Sequence, residues 1–148
     1  MDRYAKIHWH GNLKEGEGTI STQSKALENI NYTFKKRFGG AQGTNPEELI
    51  AAAHGGCFSM ALANELSQRG LEVESIDVSC KISTNFEEGK LDITESYLDV
   101  KVVIPGGNQK NIEEAATFAK ENCPVSKVLN CSIVMDINVE NSFQAELS

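Results

Sequence analysis

Polar and apolar residues alternate through the first part of the chain in the manner of β-strands. Tyr4, Lys6, His8 and His10 fall on one face, with Ala5, Ile7, Trp9 and Gly11 on the other. Gly11-Asn12 and the cluster Lys14-Glu15-Gly16 punctuate that run, and Thr19-Ile20-Ser21-Thr22 resumes it. An N-terminal hairpin or meander is therefore expected. Residues 31–38 read as a third short strand, with Tyr32 and Phe34 on one side. Arg37 then stands at its far end, just before the loop Gly39-Gly40-Ala41-Gln42-Gly43.

After this loop the period lengthens. Asn45-Pro46-Glu47-Glu48 offers a capping side chain, proline at the first helical position and acid in the first turn, with Glu48 where a capping box would put it. The spacing predicts a helix from here to about Gln68, with Gly70 as its stop. Leu49, Ala52, Ala53, Gly56 and Cys57 recur at three and four, and Met60, Ala61 and Asn64 continue that stripe. So little charge along its middle predicts a buried central helix. Its interior carries Gly55-Gly56, and each glycine costs roughly 0.5–1 kcal/mol relative to alanine. Such a cost is tolerated where another backbone or a ligand must come close.

Two long strands follow. Ile76, Val78, Cys80 and Ile82 oppose Val73, Ser75, Asp77, Ser79 and Lys81, and the partner strand runs through Leu98, Val100, Val102 and Ile104. Residues 85–90 suit the hairpin turn between them, and Pro105-Gly106-Gly107 ends the pair. Residues 111–121 form a second amphipathic helix with Ile112, Ala115, Ala116 and Ala119 inward. Asn122-Cys123-Pro124 breaks it, because a residue before proline is disfavoured in the helical region. Residues 130–139 alternate as a last strand through Cys131, Ile133, Met135, Ile137 and Val139, and the tail from Glu140 onward frays. No repeat or linker interrupts this order. The expectation is one α+β domain over residues 1–148, with helices packed on antiparallel sheet.

Composition narrows the function classes. Hydrophobic residues make up 40% of the 148 and charged residues 24%, a globular balance. The formal net charge of −7 repels phosphate backbones, so nucleic acid is not an expected partner. No apolar run approaches the ~18–20 residues that a membrane-spanning helix needs. Met1-Asp2-Arg3-Tyr4-Ala5-Lys6 carries charge where a secretory signal would have its apolar core, which points to the cytoplasm. In that reducing compartment the 4 cysteines read as buried thiols, ligands or reagents, not as a structural disulfide framework.

Cys80 and Cys131 fall in register with the inward residues of their strands and read as small core hydrophobes. Cys57 lies beside two glycines that open space around it. Cys123 lies at a helix end before proline, where a short segment could let its sulfur travel. One rigid and one mobile thiol would suit a two-step redox cycle. The reactive species is the thiolate, and an ordinary cysteine has a pKa of about 8.5. Burial on an apolar face would raise it. The helix terminus is no remedy, since Cys57 lies twelve residues past Asn45, roughly 18 Å at 1.5 Å per residue, and the macrodipole acts within about one turn. A fixed cation is required. Arg37 is the candidate, because guanidinium stays charged when desolvated and can fork toward sulfur and a substrate oxygen, and Glu47 could hold it bidentately. Taken alone, Arg37 reads equally well as a solvated strand end and Glu47 as ordinary first-turn stabilisation.

The run Arg37-Phe38-Gly39-Gly40, then Gly43-Thr44-Asn45-Pro46-Glu47-Glu48 through His54-Gly55-Gly56-Cys57-Phe58-Ser59-Met60, resembles the osmotically inducible protein C family of peroxidases. So does Asn122-Cys123-Pro124-Val125-Ser126-Lys127-Val128-Leu129, and His8-Trp9-His10-Gly11 and Gly16-Glu17-Gly18-Thr19 are similar too. The likeness covers nearly the whole chain. Its wording is closer to this branch than to the sister organic hydroperoxide resistance proteins. It implies an intertwined homodimer with active sites at the subunit interface. It further implies Cys57 as peroxidatic thiol, Cys123 as resolving thiol, Arg37 as activator and peroxide binder, and Glu47 as its holder. No cofactor or metal is implied. One departure is Gly55-Gly56, where family members often carry alanine.

The implied cycle has Cys57 thiolate attack the distal peroxide oxygen, leaving a sulfenic acid that Cys123 condenses to a disulfide. A dithiol, lipoyl-type in related members, then restores the thiols by exchange. Phe58, Met60, Phe38 and Leu129 would favour bulky organic hydroperoxides over hydrogen peroxide. Two rival readings stand beside this one. A metal site could use His54, Cys57 and Cys123, although no Cys-x-x-Cys pair is present and His54 reads more simply as a hydrogen-bonded helix residue. His8 and His10, around Trp9, read as surface. The other rival is a non-catalytic dimer of the same fold that binds a small apolar ligand.

Overall fold

The computed structural model describes residues 1–38 and 43–140. The loop expected at 39–43 and the fraying tail thus fall largely outside the described residues. The chain forms two compact units, Met1–Leu49 and the remainder from Ile50 on.

The first unit begins with the expected hairpin. β1 (Ala5–His10) pairs antiparallel with β2 (Glu17–Thr22), and β2 with β3 (Ile30–Tyr32). Gly18 opposes Trp9 and Tyr32 in this register, and a Cβ there would lie 2.7 Å from both rings, so glycine is required for the sheet to carry them. The third strand is shorter than the alternation predicts. Phe34–Phe38 is a helical turn, α1, and Arg37 lies on it, not at a strand end. Thr33 decides this, because its hydroxyl accepts from the Lys36 amide at 3.2 Å, the hydrogen bond of an N-cap. Phe34 and Phe38 then meet one turn apart, ring centroids 4.7 Å from each other.

Helix α2 (Pro46–Gln68) has the predicted bounds. Asn45 Oδ1 accepts from the Glu48 amide at 2.8 Å, while the Glu48 carboxylate takes the Thr44 hydroxyl at 2.9 Å in place of the reciprocal bond of a capping box.

The second unit has a sheet of β4 (Ser75–Glu87), β5 (Lys90–Val103) and β6 (Ser132–Glu140). β4 and β5 form a long hairpin closed by Glu88 and Gly89, both at positive φ, as a two-residue turn of matching twist requires. β5 and β6 run parallel, so the sheet is mixed where an antiparallel one was expected. The reason is the intervening connection, which carries α3 (Gln109–Asn122) and α4 (Pro124–Val128) and is long enough to cross over. Glu140 still belongs to β6, and its carboxylate pairs with Lys101 at 3.1 Å.

Leu98, Val100 and Val102 of β5 meet Phe58, Leu62 and Leu66 of α2 and Ile112, Ala115, Ala116 and Ala119 of α3 in one core. Full burial of each large member stabilises by about 1.5–3 kcal/mol. Cys80 packs half-buried against the core from β4, as predicted, whereas Cys131 is half-buried just before β6 begins and is not on the strand. The face that α2 buries is not the predicted one. His54, Gly55, Phe58, Leu62 and Leu66 are buried, whereas Ala52, Ala53, Gly56, Met60 and Asn64 are exposed. The helix is apolar nearly all round, so periodicity alone could not select its inner side. Among the described residues, neither interior glycine is demanded by a close approach. A Cβ at Gly55 would rest 3.4 Å from that of Cys80, and one at Gly56 would meet nothing within 4 Å.

Candidate active site

Two of the predicted site residues belong to the first unit. Nε and Nη2 of Arg37 both donate to Glu47 Oε1, at 3.0 and 2.6 Å. The grip is on one carboxylate oxygen, not the two-oxygen fork expected. The Arg37 side chain is 37% exposed, so the pair adds little stability in water, and its effect is to aim the guanidinium. That guanidinium also lies 5.8 Å from the centre of the Phe38 ring. Beside it opens a pocket of about 380 Å³, walled by Trp9, Leu13, Tyr32, Phe34 and Pro46, with Thr33 and Arg37 at its polar side. Of the apolar neighbours named from sequence, Phe38 is 45% exposed, Met60 is exposed, Phe58 is buried in the core and Leu129 is half-buried.

The two cysteines belong to the second unit, and there they come together. Cys57 is half-buried on α2, close enough to the Cys123 side chain and the Val125 backbone for both to bear on the ionisation of its thiol. Burial pushes the Cys57 thiol up; the Val125 backbone opposes this, and Cys123 adds to the rise. Both cysteines are free thiols. Cys123 does not sit on an open segment. It is buried, closes α3 through its own amide to the Ala119 carbonyl, and caps α4 by accepting the Ser126 amide at 3.3 Å. Pro124 at the first position of α4 separates the two helices.

Three residues with a place here were not singled out from sequence as a group. His54 is fully buried, with Nδ1 2.6 Å from Ser96 Oγ and Nε2 2.8 Å from Ser126 Oγ. Ser126 Oγ is in turn 3.1 Å from Cys123 Sγ. At the other end Ser96 Oγ lies 3.4 Å from Cys80 Sγ. Burial lowers the pKa of His54, so at neutral pH the ring is uncharged. With both nitrogens engaged by hydroxyls, His54 has no lone pair to offer the metal site weighed above. Signals for this group were present in the chain. His54 stands four residues before Phe58 and eight before Leu62, and Ser96 is in step with Leu98, Val100 and Val102. A polar residue in a buried register requires partners.

Among the described residues no helix is long and apolar enough to cross a membrane. Residues 39–138 match the family described as OsmC-like protein. A relative named peroxiredoxin OsmC, from Escherichia coli, is 41% identical over 141 residues, covering 95% of this chain and 99% of its own. An organic hydroperoxide resistance protein-like 2 of Staphylococcus epidermidis is 31% identical over 74% of this chain and 78% of its own. Among solved structures, an OsmC-like protein of unknown function from Vibrio cholerae superposes with a TM-score of 0.74 at 18% identity, covering 93% of this chain and 99% of its own. The fold is thus shared well below the level of sequence likeness. With a family match over more than half its length and a relative of the same family aligned nearly end to end, this chain belongs to the OsmC-like protein family.

Proposed function

We propose that the protein is a cysteine-based peroxidase that reduces organic hydroperoxides at Cys57 and closes a disulfide to Cys123. The observation that carries this reading is the proximity of two free thiols from different elements of one unit, near enough for Cys123 to bear on the ionisation of Cys57. The name of the Escherichia coli relative, a peroxiredoxin, supports the same chemistry.

Cys57 thiolate displaces an alcohol from the hydroperoxide and becomes a sulfenic acid. Cys123 condenses with it, water leaves, and a dithiol reductant resets the pair by exchange. Because burial raises the Cys57 thiol, a cation is needed to favour the thiolate, and Arg37, aimed by Glu47, has that role. The aromatic pocket beside Arg37 suits an organic peroxide better than hydrogen peroxide. An acidic chain whose cysteines are free thiols fits the reducing cytoplasm.

The test is peroxide consumption with excess dithiol. The expected result is faster turnover of cumene hydroperoxide than of hydrogen peroxide, abolished by alkylating Cys57. A second reading, a non-catalytic dimer binding a small apolar ligand, draws on the same pocket. It takes over if both peroxides survive untouched and an apolar ligand binds equally before and after alkylation.

We also infer a homodimer. Ala52, Ala53, Gly56 and Met60 leave an apolar stripe on the outer side of α2, with Met60 77% exposed. A helix apolar all round is stable when both sides are covered, and a second copy covers this one. Sedimentation should give twice the chain mass for the wild type and the single-chain mass for Met60→Glu. A monomeric wild type would refute the dimer.

A further inference from the structure

The peroxidase cycle proposed above employs Cys57, Cys123, Arg37 and Glu47, and it leaves the buried chain Ser96–His54–Ser126 without a purpose. Buried imidazole and hydroxyl groups are costly where apolar residues would serve. This one is fully satisfied, and it ends on a sulfur that must lose a proton. With the ring protonated at Nδ1, donation runs in one direction. Cys123 S–H donates to Ser126 Oγ, the Ser126 O–H donates to His54 Nε2, and His54 Nδ1–H donates to Ser96 Oγ. Around His54 stand Ser96 of β5, Cys80 of β4 and Ser126 of α4, none of them a carboxylate or a cationic group.

We propose that Ser126 and His54 form a proton relay that deprotonates the Cys123 thiol as it closes on the Cys57 sulfenic acid. The proposal rests on the peroxidase reading and assigns its second step. As the Cys123 S–H bond breaks, the proton passes to Ser126 Oγ while the Ser126 hydroxyl proton passes to His54 Nε2. The Cys123 sulfur pair forms the S–S bond, and the Cys57 S–O bond breaks with its pair on oxygen. Hydroxide leaves, and it combines through solvent with the proton held on His54 to make one water. The Cys57 sulfur is reduced by as much as the Cys123 sulfur is oxidised, so no other oxidant enters. The Ser126 amide, already donating to Cys123 Sγ, steadies the charge that develops there. Ser126 touches the reacting sulfur and is a catalytic residue in this step, while His54 acts through it as a positioning residue.

Single-turnover kinetics test the relay. Reduced wild type, Ser126→Ala, His54→Gln and the double variant are each mixed with cumene hydroperoxide, quenched at intervals and read by intact mass for sulfenic acid and disulfide. In His54→Gln the side-chain amide keeps hydrogen bonds but cannot take the proton. In every variant the sulfenic acid is expected to form at the wild-type rate. Disulfide closure at neutral pH is expected to slow on the order of 100-fold, as general base catalysis is worth. Closure in Ser126→Ala should then rise in proportion to hydroxide, where the wild type is nearly flat, a change that mere loss of packing would not produce. The double variant should be no slower than either single one, because both remove the same path. Should His54→Gln not fold, Ser126→Ala and its pH dependence still decide. Wild-type closure rates in Ser126→Ala, or an unchanged pH dependence, overturn the relay and leave the peroxidase reading standing. A wild type that forms no Cys57–Cys123 disulfide overturns both.

Discussion

Cys57→Ser is expected to lower hydroperoxide consumption by several orders of magnitude, the scale on which removal of a nucleophile acts. Serine is nearly isosteric, so the packing of the site beside Cys123 and Val125 can be kept while the chemistry is lost. Its hydroxyl neither ionises near neutrality nor has the polarisable sulfur that attacks a peroxide oxygen. Cys123→Ser separates the two steps. The first equivalent of peroxide is consumed at the wild-type rate, and the sulfenic acid then persists, because its partner thiol is gone. With excess peroxide it climbs to sulfinic acid, which thiols do not reverse, and turnover dies away. The measurement is dithiol-coupled peroxide consumption together with intact mass of the oxidised protein. Full activity in Cys57→Ser would end the assignment of the nucleophile. Sustained wild-type turnover in Cys123→Ser would mean that the external dithiol attacks the sulfenic acid itself.

Arg37→Met is expected to slow the reaction of Cys57 with hydroperoxide by roughly 10²–10³-fold, the usual effect of deleting a charge-stabilising donor. Burial holds Cys57 above the ordinary cysteine range, and if Arg37 has the proposed activating role, loss of its charge should move the thiol higher still. Methionine keeps much of the length of arginine without the charge, so packing is a small part of the change. Alkylation of Cys57 by iodoacetamide should show an inflection displaced to higher pH in the variant, since the thiolate is the species that reacts. Glu47→Gln should move the same inflection in the same direction but less far, because the guanidinium remains and only its aim is loosened. If alkylation in Arg37→Met follows the wild-type pH dependence, the activating charge lies elsewhere.

Much of this was legible in the order of residues. The N-cap Asn45, Pro46 and the acidic first turn announce α2, and Gly70 marks its end, because these effects act over one turn and need no distant partner. The inward set Ile112, Ala115, Ala116 and Ala119 was legible for the same local reason, α3 being apolar on one side only. The two cysteine motifs and the Arg37–Glu47 pair could also be singled out. Residue type and spacing state what a redox thiol needs, and the family resemblance ties the motifs together.

Where the reading stopped, the deciding term was not local. Phe34 alternates with Tyr32 as a strand would, and one hydroxyl, Thr33 to the Lys36 amide, tips that segment into a helix and moves Arg37 onto it. The inner face of α2 depended on which side met β5, and an almost uniformly apolar helix carries no record of that. The parallel pairing of β6 followed from a crossover through α3 and α4, which no property of residues 132–140 reports. The closest arrangement at the site, His54 between Ser96 and Ser126 with Cys123 beyond, joins residues 42 and 72 apart in sequence. What the sequence by itself determined were the elements set by neighbours within a turn and the identities of the reactive groups. The tertiary structure alone decided which faces are buried and which polar groups meet, because burial and hydrogen-bond partnership are properties of contacts between distant segments.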